Sequence, residues 1–124
     1  MYLKTALMLA AFFVPWGLIT FGATGTSWGF WITEIIMGFG LAGIGLNVMH
    51  DANHGAFSSS KRINAVIGKV LDLVGGSSAM WKIQHNVLHH SFTNIDGLDE
   101  DIDTPGILRF SPDRPLKKVH KLQF

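Results

Sequence analysis

Two long apolar runs open the chain, and a more polar, histidine-bearing stretch follows them. Residues 1–22 carry a single charge, Lys4, and residues 28–49 carry only Glu34. At 1.5 Å per residue in a helix, 22 residues reach roughly 33 Å, enough for the hydrocarbon core of a bilayer. Both runs therefore read as transmembrane helices, and the short link at 23–27 makes them an antiparallel hairpin. Pro15 is expected to kink the first, which membrane helices tolerate when neighbours satisfy the freed backbone group. A signal peptide competes for that first run, but its apolar stretch is longer than a leader needs. Gly38, Ala42 and Gly45 share one face of the second helix, where small residues let another helix approach. Glu34 sits near the outer end, within reach of water.

Beyond the hairpin, Ile63, Val66, Ile67, Val70, Leu71 and Val74 recur at helical spacing, with Asn64, Lys69 and Asp72 on the other face. This stretch is too short to span, so an interfacial amphipathic helix over about 61–75 is expected. Ser58, Ser59 and Ser60 offer caps at its start, and Gly75-Gly76 closes it. A soluble-type buried helix is the alternative. Either can carry the following residues back toward the end of the second span. From Ile95 the character changes: Asp96, Asp99, Glu100, Asp101 and Asp103 precede Pro105, Pro112 and Pro115, a pattern that reads as a solvated loop. A calcium loop is a poor match, because the glutamate at its twelfth position and the central glycine are missing. The fold class that follows is all-α: an integral membrane protein with a transmembrane hairpin, then an interfacial helix and cytoplasmic helices over 50–124.

Composition sharpens the picture. Charged residues make up 15% of the 124, against about a quarter in soluble domains. The net charge of +1 leaves no basic excess for a nucleic-acid backbone. With no cysteine, disulfides, thiolate zinc sites and cysteine-held iron–sulfur clusters are excluded, and any metal must rest on imidazole and oxygen. Lys4 precedes the hairpin, the other nine Lys and Arg follow it, and none lies in the turn. By the positive-inside rule both ends of the hairpin face the cytoplasm, in a multi-pass membrane protein whose histidines lie on that side.

Five of the six histidines fall in two tight clusters, His50-Asp51-Ala52-Asn53-His54 and His85-Asn86-Val87-Leu88-His89-His90. On an α-helix, residues four apart differ by about 40° in azimuth, so His50 and His54 share a stripe, as do His85 and His89. Each pair can grip one ion, and His90, about 100° round from His89, can reach a neighbouring one. A two-metal site at a membrane surface is the economical reading. His120, alone beside Lys118 and Lys121, reads as an ordinary histidine. Zinc peptidases require a glutamate after the first histidine of their pair, and Asp51 and Asn86 stand there instead. Imidazole suits iron as well as zinc, and spacing alone does not separate them; an iron site with open positions can activate dioxygen. Lys61, Arg62, Lys82 and Arg109 are candidates to meet an anionic head group.

His-Asp-x-x-His directly after a membrane span, followed by Trp81-Lys82-Ile83-Gln84-His85-Asn86-x-x-His89-His90, resembles the membrane fatty acid desaturases. The flanks, Gly43 to His50 and Asp99-Glu100-Asp101-Ile102-Asp103, look most like the bacterial linoleoyl-CoA, front-end (delta-6-type) branch. The resemblance covers nearly the whole chain. It implies a di-iron, O2-dependent enzyme that makes a cis double bond in a fatty acyl substrate, acyl-CoA or acyl-lipid. Electrons would come from a cytochrome b5-like or ferredoxin donor. It further implies that His50, His54, His85, His89 and His90 are iron ligands, with Asp51 and Asn86 orienting ligand imidazoles. The family also carries a third histidine box after further spans, which these 124 residues lack, so the sequence reads as the front half of a longer enzyme, inactive by itself. A histidine-box alkane or carotenoid hydroxylase and a non-catalytic membrane metal-binding protein are the rival functions.

Overall fold

The computed structural model describes residues 1–103 and 108–123, so Pro105 lies outside the described residues. No strand occurs among the described residues, in agreement with the all-α expectation. Two compact units divide the chain, Met1–Ser78 and Ala79–Phe124.

In the first unit, helix α1 (Tyr2–Thr20) and helix α2 (Ser27–Asn53) pack against each other, and both are long and apolar enough to cross a membrane. Helix α1 continues through Pro15. Thr26 starts α2 as its N-cap, its hydroxyl accepting the Gly29 N–H at 3.1 Å and so satisfying one of the helix's unpaired donors. Large apolar side chains stay exposed along both helices, among them Leu3, Leu7 and Val14 on α1 and Trp31, Ile35 and Phe39 on α2.

The close approach between α1 and α2 falls on a different face of α2 from the one the spacing suggested. Gly38 and Gly45 border open space, whereas a Cβ on Gly40 would lie 2.6 Å from the Ala11 and Phe12 backbone, and one on Gly43 would collide with Met8. All of these glycines fit small-residue helix packing; only contact with α1 selects between them.

Helix α2 also runs past its expected end at Met49. Its residues 44–49 form a π-helical segment, with i→i+5 bonding in place of i→i+4, and an α-helical turn His50–Asn53 completes it. A small core of Val48, Ala52 and Phe57 forms around this end, with Met8 and Ile67 packed on it and Tyr2 meeting Phe57 edge to face.

The expected helix over 61–75 is broken. Helix α3 (Lys61–Ile67), capped by the Ser60 hydroxyl, is separated from the short helix α4 (Val70–Leu73) by a turn at Gly68 and Lys69. The break follows from Asn53, whose side-chain amide donates to the Gly68 carbonyl at 3.3 Å and leaves no room there for a Cβ. Asn64, assigned by periodicity to the polar face, is buried: its amide donates to the carbonyls of Gly55 and Ser58, and its oxygen accepts the Ser58 N–H at 2.8 Å. Val66 and Leu73 of the expected apolar face are exposed, while Val70 is buried.

The second unit contains the rest of a helical stretch over residues 78–92, here α5, in which the α-helical turn Ser78–Trp81 leads into a π-helical segment Lys82–His89 and a final turn His90–Phe92. Turns at Glu100–Ile102 and Lys118–Leu122 are 3-10 helical. His120 is buried and accepts the Lys117 N–H at 3.0 Å, a structural role that matches its reading as an ordinary histidine.

Replacing Gly40 with leucine should lower the thermal unfolding midpoint of the chain in detergent micelles, since overpacking a tight contact costs about 1–3 kcal/mol. Gly38→Leu should leave it nearly unchanged. Circular dichroism melts compare the two, and equal shifts would remove Gly40 as the point of close approach.

Candidate metal centre

The first histidine pair stands at the C-terminal end of α2. His50 is half-buried inside the helix and His54, its C-cap, is exposed; their rings lie 4.6 Å apart, edge to face. The shared stripe expected from a four-residue spacing is therefore present. Asp51 brings a carboxylate oxygen to 3.4 Å from His50 Nδ1, a long contact, while its other oxygen faces Lys4 Nζ at 3.5 Å. Lys4 also donates to Asn47 at 3.2 Å, so the start of α1 is tied to the residues on either side of His50. From sequence Lys4 appeared only as a marker of topology.

His85 and His89 lie on the π-helical segment of α5, where α-helical azimuths do not apply, and His90 opens the α-helical turn that follows. The three rings gather nonetheless. His85 stacks on His89 at 4.9 Å and 15°, Trp81 stacks on His85 at 4.4 Å and 22°, and His90 meets His85 and His89 edge on at 5.1 and 5.3 Å. Asn86 is half-buried on the same segment.

Two residues that sequence reasoning placed in a solvated loop belong to this cluster. Asp99 has no exposed surface, and its carboxylate oxygens lie 2.9 and 3.0 Å from His89 Nδ1. Asp101 brings an oxygen to 2.5 Å from His85 Nδ1. The chain returns to the helix because Asn94 and Gly97 adopt left-handed conformations, with φ of 64° and 81°. Asn and Gly placed between a helix end and a run of acids were the signal available in the sequence; periodicity alone could not show where the acids returned.

Electrostatics follow from these contacts. Burial by itself would raise the Asp99 carboxyl, yet the Asn94 N–H, the His89 ring and the Asp101 N–H, with attraction to charge on His89, together hold it below the ordinary carboxylate value. Arg114 pins both flanks of the loop, with Nε at 2.5 Å from Asp96 and a second guanidinium nitrogen at 2.6 Å from Asp103. Hydrogen bonding and charge from Arg114 depress the Asp103 carboxyl, and the two carboxylates in turn raise the guanidinium. Arg109 is engaged internally, its guanidinium donating to the carbonyls of Arg114 and Pro112, so among the four candidate head-group contacts it is the one already occupied within its own loop. Lys61, Arg62 and Lys82 are exposed.

His85, His89 and Asp101 each present a ligand atom, and these atoms lie within 4.8 Å of one another. Imidazoles joined by a carboxylate make a donor set that accommodates iron. The geometry invites comparison with known proteins, and residues 25–122 match the family model described as fatty acid desaturase. The chain belongs to the fatty acid desaturase family.

Relatives bear this out along nearly its whole length. It is 40% identical over 123 residues to the sn-1 linoleoyl-lipid 6-desaturase of Arthrospira platensis, covering 99% of this chain and 33% of that protein. Identity is 37% over 129 residues to the sn-1 linoleoyl-lipid 6-desaturase of Synechocystis sp., covering 99% of this chain and 34% of the relative. To the acyl-lipid (8-3)-desaturase of Physcomitrium patens it is 36% over 125 residues, covering 99% and 26%. The desaturase chain thus spans about a third of the length of the first two relatives. No solved structure matches it. Fatty acid desaturases are membrane-associated and in general use iron and O2, which suits a chain with two apolar helices and clustered histidines.

The Arg114 clasp gives a pH signature. The folded Asp103 carboxyl sits below its ordinary value of 3.8, so the stabilisation is complete above that value and is lost as pH falls through the lowered folded value. Hydrogen exchange of the 94–103 amides should be faster in Arg114→Gln than in the unaltered chain at neutral pH, with the two converging in acid below that range. A difference that persisted there would remove the ion pair as its cause.

Proposed function

We propose that this chain is the histidine-bearing front part of an oxygen-dependent acyl desaturase that introduces a cis double bond into a fatty acyl chain, carried on a lipid or on CoA. The observation that supports it most is the likeness over 99% of the chain, both histidine clusters included, to proteins named linoleoyl-lipid 6-desaturases. In this reading His50, His54, His85, His89 and His90 hold two irons, and Asp51 and Asn86 help to orient the rings. The irons, once bound, supply oxygen activation, the difficult chemistry that no side chain provides.

The chain's own residues do the rest. Helices α1 and α2 seat the first histidine pair at the membrane, their exposed Leu, Trp, Ile and Phe side chains forming the surface that lipid covers. Both ends of this hairpin lie on the cytoplasmic face in a multi-pass protein, because Lys4 precedes it and the remaining cations follow it. Exposed Val66 and Leu73 on α3 and α4 suit a segment lying in the interface. Lys61, Arg62 and Lys82 are placed among the first cations after the hairpin, where an anionic head group would be met. Electrons come from a cytochrome b5-like or ferredoxin donor.

In the complete enzyme, expressed in a host that supplies the acyl lipid and an electron donor, alanine at His54, His89 or His90 should abolish the cis-olefin product while leaving membrane insertion intact. Gas chromatography of the acyl chains and membrane fractionation make the test. Near-normal product from any variant would remove that histidine from the ligand set, and a hydroxylated product from the unaltered enzyme would replace desaturation with hydroxylation.

A further inference from the structure

We propose that Asp99 is a positioning residue of the histidine centre: its buried carboxylate fixes the His89 ring and its tautomer, leaving Nε2 as the edge that carries the free lone pair. The role rests on the reading of His89 as an iron ligand. Asp99 accepts from three donors, the Asn94 N–H at 2.7 Å, the Asp101 N–H at 3.1 Å and His89 Nδ1 at 2.9 and 3.0 Å. An ionised carboxylate can only accept, so the proton of the shared bond sits on Nδ1, and in the neutral ring Nε2 is then the nitrogen without a proton. A metal-ligating imidazole needs that arrangement, since the nitrogen opposite the metal donates to a carboxylate or carbonyl that holds the ring.

A purely local role for Asp99, as a turn-forming side chain that closes the 94–101 loop, accounts for the two backbone donors. It leaves the ring unexplained. A buried carboxylate is costly unless its lone pairs are filled, and the protein fills them with an imidazole from another element. His89 is also held on its face, stacked on His85, which in turn lies on Trp81. Stacking fixes the plane of the ring, and the carboxylate fixes which edge points away. The Arg114 clasp on Asp96 and Asp103 holds both flanks of the segment that delivers Asp99.

The test uses the full 124-residue chain in detergent micelles, labelled with 15N-histidine, and cobalt(II) as the metal probe. At a pH above the ordinary imidazole range, His89 in the unaltered chain should be the Nδ1–H tautomer. Asp99→Asn keeps the shape but places an NH2 against a backbone N–H or against the ring. It should convert His89 to a mixed or Nε2–H population and weaken cobalt binding by about 10–100-fold, read from the d–d absorption. Asp113→Asn removes an exposed charge outside the clasp that Arg114 forms with Asp96 and Asp103, and should leave the tautomer and the cobalt affinity as they were. An Nε2–H tautomer in the unaltered chain overturns the proposal even if Asp99→Asn fails to fold. Unchanged tautomer and affinity in a folded Asp99→Asn overturn it too. No cobalt band in the unaltered chain overturns the metal reading on which the role rests, a result distinguishable because the tautomer is measured without metal.

Discussion

A carboxylate removed from water must have its lone pairs occupied, and the second unit is arranged around satisfying that requirement at Asp99. Three N–H donors converge on it, two from the loop that carries it and one from the His89 ring on α5. The loop has to reverse at Asn94 and Gly97 to deliver the carboxylate, and Arg114 has to reach Asp96 and Asp103 to hold its flanks. Each of these features has an obvious local cause taken singly. Together they bring the acidic stretch onto the helix that bears the histidines.

The first unit solves a different problem, that of seating a polar cluster at the end of two apolar helices. Backbone contact at Gly40 brings α1 and α2 together, and a small core at Val48, Ala52 and Phe57 closes the end of α2. Lys4, the single charge of the first apolar run, is used there: its ammonium meets Asn47 and Asp51, one helical turn apart, on either side of His50. A lysine near a helix end can extend its stem along apolar surface and place its charge at the polar edge. The same residue thereby marks the membrane boundary and steadies the region that carries the first histidine pair.

Both histidine-bearing helices contain a π-helical segment, residues 44–49 immediately before His50 and residues 82–89 with His85 and His89 inside it. Such segments concentrate at functional sites, where one extra residue per turn changes the direction of the side chains that follow. The four-residue spacing still brings the rings of each cluster to within about 5 Å, so a motif read as α-helical remains useful where the backbone is not.

The sequence by itself determined the helical class, the two long apolar helices, the grouping of five histidines and the family, because hydrophobic runs and short-range spacing are properties of neighbouring residues. Its turn and cap residues were legible for the same reason, as at Ser60. Tertiary structure alone decided which glycines meet the facing helix, that Asn53 interrupts the 61–75 helix at Gly68, that Asn64 is buried, that Asp99 leaves the solvent for His89, and that the exposed Asp101 meets His85. Each of those outcomes depends on contacts between residues at least six positions apart in sequence, where the partner and its direction are set by how the chain packs and helical periodicity carries no information about either.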